Sequence, residues 1–162
     1  MGAETGQNDS YQSMLRALGT LLDVEPSCRI AVTEVSDGFV VRTQRSVHTL
    51  EPRVRHFDRA TLAEQLDRLS NERTRTVDRV RHAGMWSHLP GGHQEFLRSL
   101  GFELDEVLAH GIVIEELEDG IVLTYSYPDS ETKTWRKRMV VLGVSEIEEV
   151  LNTAFNRRGK TP

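Results

Sequence analysis

Cysteine is almost absent from this chain, and its scarcity excludes two kinds of structure. Cys28 is the one cysteine among 162 residues, so the chain can form neither an intramolecular disulfide nor a cysteine-based zinc site. A reducing, cytoplasmic location is therefore expected. Residues 1–9 are polar, and no apolar run in the sequence predicts a signal peptide or a membrane-spanning helix.

An excess of basic residues is missing as well. The formal net charge is −5, which argues against a protein that mainly coats nucleic acid. Apolar residues make up 38% of the chain and charged residues 28%. This composition suits one domain with a modest core, or two small units that stabilise each other.

What the sequence does contain is an internal repeat. Residues 15–23 (LRALGTLLD) return as residues 97–105 (LRSLGFELD). The match extends without a gap over residues 14–44 and 96–126, at a constant offset of 82, with 11 identical pairs in 31. A repeat of this length predicts a tandem duplication, and it has to be recognised before any helix or strand is assigned.

The repeat predicts how the chain is divided. We expect residues 10–83 and 93–158 to be two copies of one unit, joined by a linker at residues 84–92, with tails at residues 1–9 and 159–162. Two linked copies usually reproduce the contact of an ancestral homodimer. The two copies should therefore be related by a pseudo-two-fold axis.

Each copy reads as a helix, a three-strand meander and a closing helix. Apolar residues at helical spacing follow Ser10. Asp37-Gly38 and Asp119-Gly120 interrupt alternating segments, which predicts two-residue hairpin turns at these pairs. The first closing helix could continue to about Ala83. The predicted fold class is α+β, a tandem α-β-β-β-α unit with antiparallel meanders and helices on one face.

Alternation along the strands predicts two different sheet faces. Ile30, Val32, Phe39 and Val41 share the face expected beneath the helices. The opposite face should be half apolar and half basic, which suits a partner or a second copy better than solvent. Its arginines are also candidates for binding an anionic ligand or nucleic acid: Arg42, Arg53, Arg55, Arg136 and Arg138. Acidic first turns on the closing helices make nucleic acid the less favoured partner.

Each copy of the repeat contains one glutamate and one arginine at equivalent positions. Glu34 and Glu116 occupy equivalent positions, as do Arg16 and Arg98. Paired carboxylates could act as acid and base, but one structural Arg–Glu ion pair in each copy is the preferred interpretation.

An aromatic cluster and a histidine cluster are further candidate binding sites. Tyr125, Tyr127 and Trp135 are predicted to share one face, where they form either core or the wall of a small-molecule pocket. Three histidines near the linker are weak metal candidates, because their spacing matches no recognised metal motif: His82, His88 and His93.

No phosphate-binding loop, nucleophile motif or cofactor motif is present in the sequence. The leading hypothesis is therefore a non-enzymatic protein-interaction or self-association module, which could form a homodimer. The alternative is a binder of an anionic ligand or nucleic acid through the arginine-bearing sheet faces. A third hypothesis is a metal or small-molecule site at the linker between the copies.

Overall fold

The computed structural model describes residues 10–23, 29–44, 51–71 and 92–160. Within them the fold is α+β, with four helices and six antiparallel strands. The elements in chain order are α1 (Tyr11–Leu22), β1 (Arg29–Val35), β2 (Gly38–Gln44), β3 (Arg53–Asp58), α2 (Arg59–Asn71), α3 (Gly92–Glu106), β4 (His110–Glu116), β5 (Gly120–Pro128), β6 (Trp135–Gly143) and α4 (Val144–Lys160).

All six strands belong to one sheet, in the order β3-β2-β1-β4-β5-β6. Each set of three consecutive strands is an antiparallel meander. The two meanders meet where β1 pairs with β4, over a ladder of three residue pairs centred on Val32 and Ile114. This arrangement leaves β3 and β6 as the outermost strands among the described residues.

The core lies on one side of this sheet. Buried strand residues from both meanders form a single cluster with residues from all four helices. The strand residues in this cluster include Ile30, Val32, Phe39, Val41, Ile112, Ile114, Ile121 and Leu123, and the helix residues include Leu15, Leu18, Leu62, Leu97, Leu100 and Ile147. The predicted division of β1, β2, β4 and β5 into a helix-covered face and a second face is therefore correct.

The hairpin turns lie one residue earlier than predicted. Val35 pairs with Gly38, so Ser36 and Asp37 form the turn instead of Asp37-Gly38. In the other hairpin the amide of Leu117 donates to the carbonyl of Gly120 at 2.7 Å, so Gly120 also belongs to its strand. A Cβ atom on Gly38 or Gly120 would collide with a backbone carbonyl of the neighbouring outer strand. Glycine is therefore required at these two positions because the neighbouring strand lies close to them, and not because of the conformation of the turn.

The prediction that the arginines of β3 and β6 lie on the face opposite the helices was wrong. Arg55 pairs with Val41, and Arg53 pairs with Thr43, so both arginines lie on the helix-covered face. Arg138 pairs with Tyr125, and Arg136 pairs with Tyr127, which puts them on that face as well. The error has a physical cause, because a shift of one residue in a strand moves every side chain to the other face. The sequence of the loops before β3 and β6 does not determine that register.

Candidate functional site

One face of the sheet is not covered by any described helix. We call it the uncovered face. Its residues, read from the register, include Ala31, Thr33, Val40, Arg42, Val54, Val113, Glu115, Val122, Thr124, Trp135, Lys137, Met139 and Val141. Several of these are large apolar side chains with more than half of their surface exposed: Val54 at 58%, Trp135 at 60%, Met139 at 69% and Val141 at 64%.

The exposed apolar residues concentrate around β6. Val141 pairs with Val122, and Met139 pairs with Thr124, so these side chains are neighbours on the uncovered face. The Trp135 ring makes an edge-on contact with His110, with ring centroids 4.8 Å apart. An exposed apolar surface of this kind is typical of a site that binds another molecule.

The predicted aromatic cluster is divided between the two faces. Tyr125 is buried on the helix-covered face, and its ring centroid lies 6.1 Å from that of Tyr127. Trp135 pairs with Pro128 and therefore lies on the uncovered face. The prediction that the three rings share one face was wrong, since it depended on the incorrect register of β6.

Of the five candidate arginines, Arg42 alone lies on the uncovered face. It lines a pocket of about 200 Å³ together with Arg29, Gln44 and Glu115. On the helix-covered face the Arg55 guanidinium lies 5.3 Å from the centre of the Phe57 ring.

The remaining candidate arginines of the helix-covered face are exposed. Arg53 lies on β3, and Arg136 and Arg138 lie on β6. The Nε of Arg136 lies 2.6 Å from a carboxylate oxygen of Asp129. The backbone amide of Glu131, the largest cause, and the charge of Arg136 both lower the pKa of Asp129. The five arginines therefore do not form one basic surface.

The two identical glutamates lie at the junction of the two meanders. Glu116 is buried and accepts a hydrogen bond from the backbone amide of Ile30 at 2.8 Å. Glu34 accepts one from the backbone amide of Ile112 at 3.2 Å. The β1–β4 ladder has only three residue pairs, so the two carboxylates continue it where backbone pairing ends.

Glu34 has a second partner, the phenol of Tyr11. Its two oxygens lie 2.7 and 3.0 Å from the Tyr11 hydroxyl. Burial of the phenol, followed by this hydrogen bond and the charge of Glu34, raises the pKa of Tyr11 above its ordinary value. Arg16 and Arg98 lie half-buried on α1 and α3, and their pairing with the two glutamates stays a prediction.

Two aspartates that were not among the candidates cap helices across the same junction. Asp105 accepts hydrogen bonds from the amides of Tyr11 and Gln12, at 2.9 and 3.1 Å. Asp23 does the same at the start of α3, where the amides of residues 93 and 94 donate at 2.9 and 3.1 Å. Carboxylates are favoured at helix N-termini, where backbone amides lack partners within the helix. The one sign of this role in the sequence is that Asp23 and Asp105 occupy equivalent positions of the repeat.

Helices α1 and α3 approach each other at two glycines. A Cβ atom on Gly19 would lie 2.5 Å from the Cα of Gln94, and one on Gly101 would lie 2.6 Å from the Cα of Gln12. Only glycine allows backbones to come this close.

The structure places one of the three candidate histidines. His93 is fully buried, and its Nδ1 lies 3.2 Å from a carboxylate oxygen of Asp23. His82 and His88 lie outside the described residues. Within the described ranges, no group of three or more His, Cys, Asp or Glu side chains is arranged to hold a metal ion. None of the helices in these ranges is both long enough and apolar enough to cross a bilayer.

No family model, no curated protein and no solved structure matches this chain.

Proposed function

We propose that the chain is a tandem duplication of an α-β-β-β-α unit, with copies at residues 10–83 and 93–158. The support is that contacts across the junction occur in matched sets. Asp23 caps α3 as Asp105 caps α1, and Glu34 and Glu116 each accept an amide of the opposite meander. All of these residues are 82 positions from their counterparts.

The proposed axis between the copies runs through the centre of the sheet. Val32 and Ile114, which pair with each other, are themselves 82 residues apart. A contact between counterparts is what a two-fold relation requires at its axis. The helix contacts agree with this, because Gly19 faces Gln94 while Gly101 faces Gln12.

We propose further that the protein is a non-enzymatic interaction module and that the uncovered face is its contact surface. The observation that carries this proposal is the exposure of Val54, Trp135, Met139 and Val141 on that face. Burying apolar surface contributes roughly 25 cal/mol per Å², so a partner that covers these side chains would gain several kcal/mol. A cytoplasmic location is part of the same proposal.

The contacts of the paired carboxylates favour this view over catalysis. A catalytic carboxylate has to exchange a proton or charge with a substrate. Glu34 and Glu116 instead accept backbone amides at the junction of the meanders, where they complete a short ladder. Their identity in the two copies is explained by that structural role.

An anion-binding function is the second candidate, and the pocket beside Arg42 favours it. Arg29 and Arg42 both line that pocket, and two guanidinium groups can bind a carboxylate or phosphate. Glu115 and Glu116 line it too, which weakens the attraction. Arg42→Ala should abolish salt-sensitive anion binding if this function holds. A wild-type chain that binds no anion at low salt would exclude it.

The interaction function is tested by adding a charge at the centre of the uncovered face. Thr33 is exposed on β1 and pairs with Val40 and Val113. Thr33→Lys should reduce partner retention from native cytosol about tenfold or more, because a buried unpaired ammonium costs several kcal/mol. The matched control is Ala60→Lys, on the exposed surface of α2, which should retain the partner. Equal retention by both variants, measured by quantitative mass spectrometry, would refute the proposal.

A further inference from the structure

We propose that a second copy of this chain adds to the outer edge of β6, antiparallel to it, so that two six-stranded sheets become one continuous sheet. This inference rests on the proposed interaction function: it names a second copy as a partner and adds a second contact surface, the outer edge of β6. The carrying observations are that no described strand pairs with the outer edge of β6, the positions of its charges and the exposure of its apolar half.

The backbone of β6 has hydrogen-bonding groups that point away from the sheet. The amide of Leu117 donates to the carbonyl of Gly120, and the direction of backbone groups alternates along each antiparallel strand from that pair. Combined with the β5–β6 register, the alternation directs the amides and carbonyls of Lys137, Met139 and Val141 outwards. The amide of Gly143 follows the same alternation and donates to a side chain, Glu146, at 2.7 Å. No strand in the described part of the chain pairs with this edge.

The strand is suited to pair with itself about its midpoint. Met139 is the middle residue of the nine that form β6. Antiparallel pairing about Met139 brings Lys137 opposite Val141, Arg138 opposite Val140 and Arg136 opposite Leu142 of the other copy. Every basic residue then faces an apolar one. The outward groups of Lys137, Met139 and Val141 would form about six hydrogen bonds between the copies.

Other pairings of the same two strands are disfavoured by charge or by length. Moving the centre to Lys137 puts Lys137 opposite itself and Arg136 opposite Arg138, which costs free energy through like-charge repulsion. Parallel pairing likewise sets the basic halves of the two strands side by side. Moving the centre to Val140 or Val141 puts no like charges opposite each other but shortens the overlap, because β6 ends at Gly143. Charged residues on edge strands usually prevent pairing, but here they exclude the registers centred on the basic half, and the length of the overlap favours Met139.

Charge complementarity supports a second copy as the occupant. Arg136 and Arg138 are exposed on the helix-covered face, near the N-terminal end of β6. Antiparallel pairing carries them to the C-terminal end of the other β6, where α4 begins. The first two turns of α4 expose Glu146, Glu148 and Glu149. The basic end of each copy thus meets the acidic end of the other, twice in one symmetric interface.

The test is a concentration series of the full chain in the analytical ultracentrifuge. The wild type should dimerise, and Met139→Pro should weaken the dimer about tenfold or more, because proline removes the central outward amide. Val54→Pro is the matched control, since Val54 is an exposed edge residue of β3, the opposite outer strand. Circular dichroism would establish that both variants fold. A wild type that remains monomeric to about 1 mM would overturn the proposal, as would equal weakening by both variants.

Disulfide trapping tests the register without relying on proline. In a Cys28→Ser background, Met139→Cys should form an intermolecular disulfide on oxidation, because hydrogen-bonded antiparallel pairs have Cα atoms about 5.5 Å apart. Val54→Cys is the control and should not form one. Absence of the first disulfide, or equal yield of both, would overturn the register.

The two proposals can fail separately. A wild-type monomer that still retains a partner sensitive to Thr33→Lys would overturn the second-copy proposal and leave the interaction function standing. A dimer sensitive to Met139→Pro, in a chain that retains no partner sensitive to Thr33→Lys, would support the second-copy proposal and overturn the role of the uncovered face.

Discussion

The close approach of α1 and α3 predicts that adding one methyl group will destabilise the fold. In Gly19→Ala the new Cβ would lie 2.5 Å from the Cα of Gln94 and 2.8 Å from its amide nitrogen. Ordinary carbon–carbon contacts are about 3.5–4.0 Å. The colliding atoms belong to the backbone, so no side chain can rotate away. The two helices would have to separate by about 1 Å, and the core residues between them would separate too.

The magnitude follows from two opposing contributions. Alanine is the better helix former by about 1 kcal/mol. Overpacking a well-packed core costs about 1–3 kcal/mol, and the backbone collision places this site at the upper end. We therefore expect Gly19→Ala to lower the free energy of unfolding by about 2 kcal/mol. For a chain of this size that corresponds to a fall of roughly 4–8 °C in Tm.

Urea denaturation, fitted for both the free energy and its slope, is the assay. Gly101→Ala should cost about as much, because its Cβ would lie 2.6 Å from the Cα of Gln12. The double variant should cost less than the sum, since one separation of the helices relieves both collisions. Gly143→Ala is a control, where a Cβ would meet only the flexible end of Glu146. A Gly19→Ala variant more stable than the wild type would refute this reasoning.

Three further predictions concern the polar groups. Asp23→Ala and Asp105→Ala should each lower the free energy of unfolding in urea by about 1–2 kcal/mol, and a loss from only one of them would contradict matched caps. Tyr11→Phe should cost about 1.5–3 kcal/mol, because the hydrogen bond to a charged carboxylate is lost. The pKa of Tyr11 is raised, so the wild type keeps this contribution below about pH 10 and loses it as pH rises further; Tyr11→Phe should lose stability less steeply there. The pKa of Asp58 is lowered chiefly by the amide of Thr61, so its contribution is present above about pH 4 and lost as pH falls. Asp58→Asn should flatten that acid dependence, and an unchanged profile would contradict the contribution of the hydrogen bond between Asp58 and the Thr61 amide.

Periodicity in the sequence was enough to predict the element order and the face of four strands. The spacing of apolar residues in α1 and the alternation in β1, β2, β4 and β5 both reflect which side chains meet the core. The face prediction survived a wrong turn position, because the pairing of β1 with β2 moved by two residues, from Ser36 opposite Phe39 to Glu34 opposite Phe39. A shift of two keeps every side chain on its own face.

The outer strands were less predictable because nothing in their local sequence fixes the register. Arg53 and Arg55 alternate with Val54 and His56, and neither set is strongly apolar. Hydrophobicity therefore could not decide which set faces the helices. The structure puts the arginines there, with the Arg55 guanidinium near the Phe57 ring. Long charged side chains can cover apolar surface while their ends stay in water.

The composition of the face opposite the helices was predicted only in part. A half-apolar, half-basic face was expected, and the uncovered face is partly apolar, but four of the five candidate arginines lie on the other face. The exposed Met139 and Val141 were not expected on it, because a register error moved them to the other side. Asp23 and Asp105 were visible in the sequence as an identical pair. Their role depends on how the two halves dock, which composition and spacing do not determine.

The junction of the two halves explains why the repeat keeps its polar residues. The backbone amides at the start of each helix of the α1–α3 pair find an acceptor in the aspartate of the other half. The short β1–β4 ladder is likewise continued by a glutamate from each side. A buried amide without an acceptor costs about 1–3 kcal/mol, so burying these amides at the junction without the carboxylates of the opposite half would be unfavourable. The two halves therefore stabilise each other through matched polar contacts as well as a shared core, and among the described strands none pairs with the outer edge of β6.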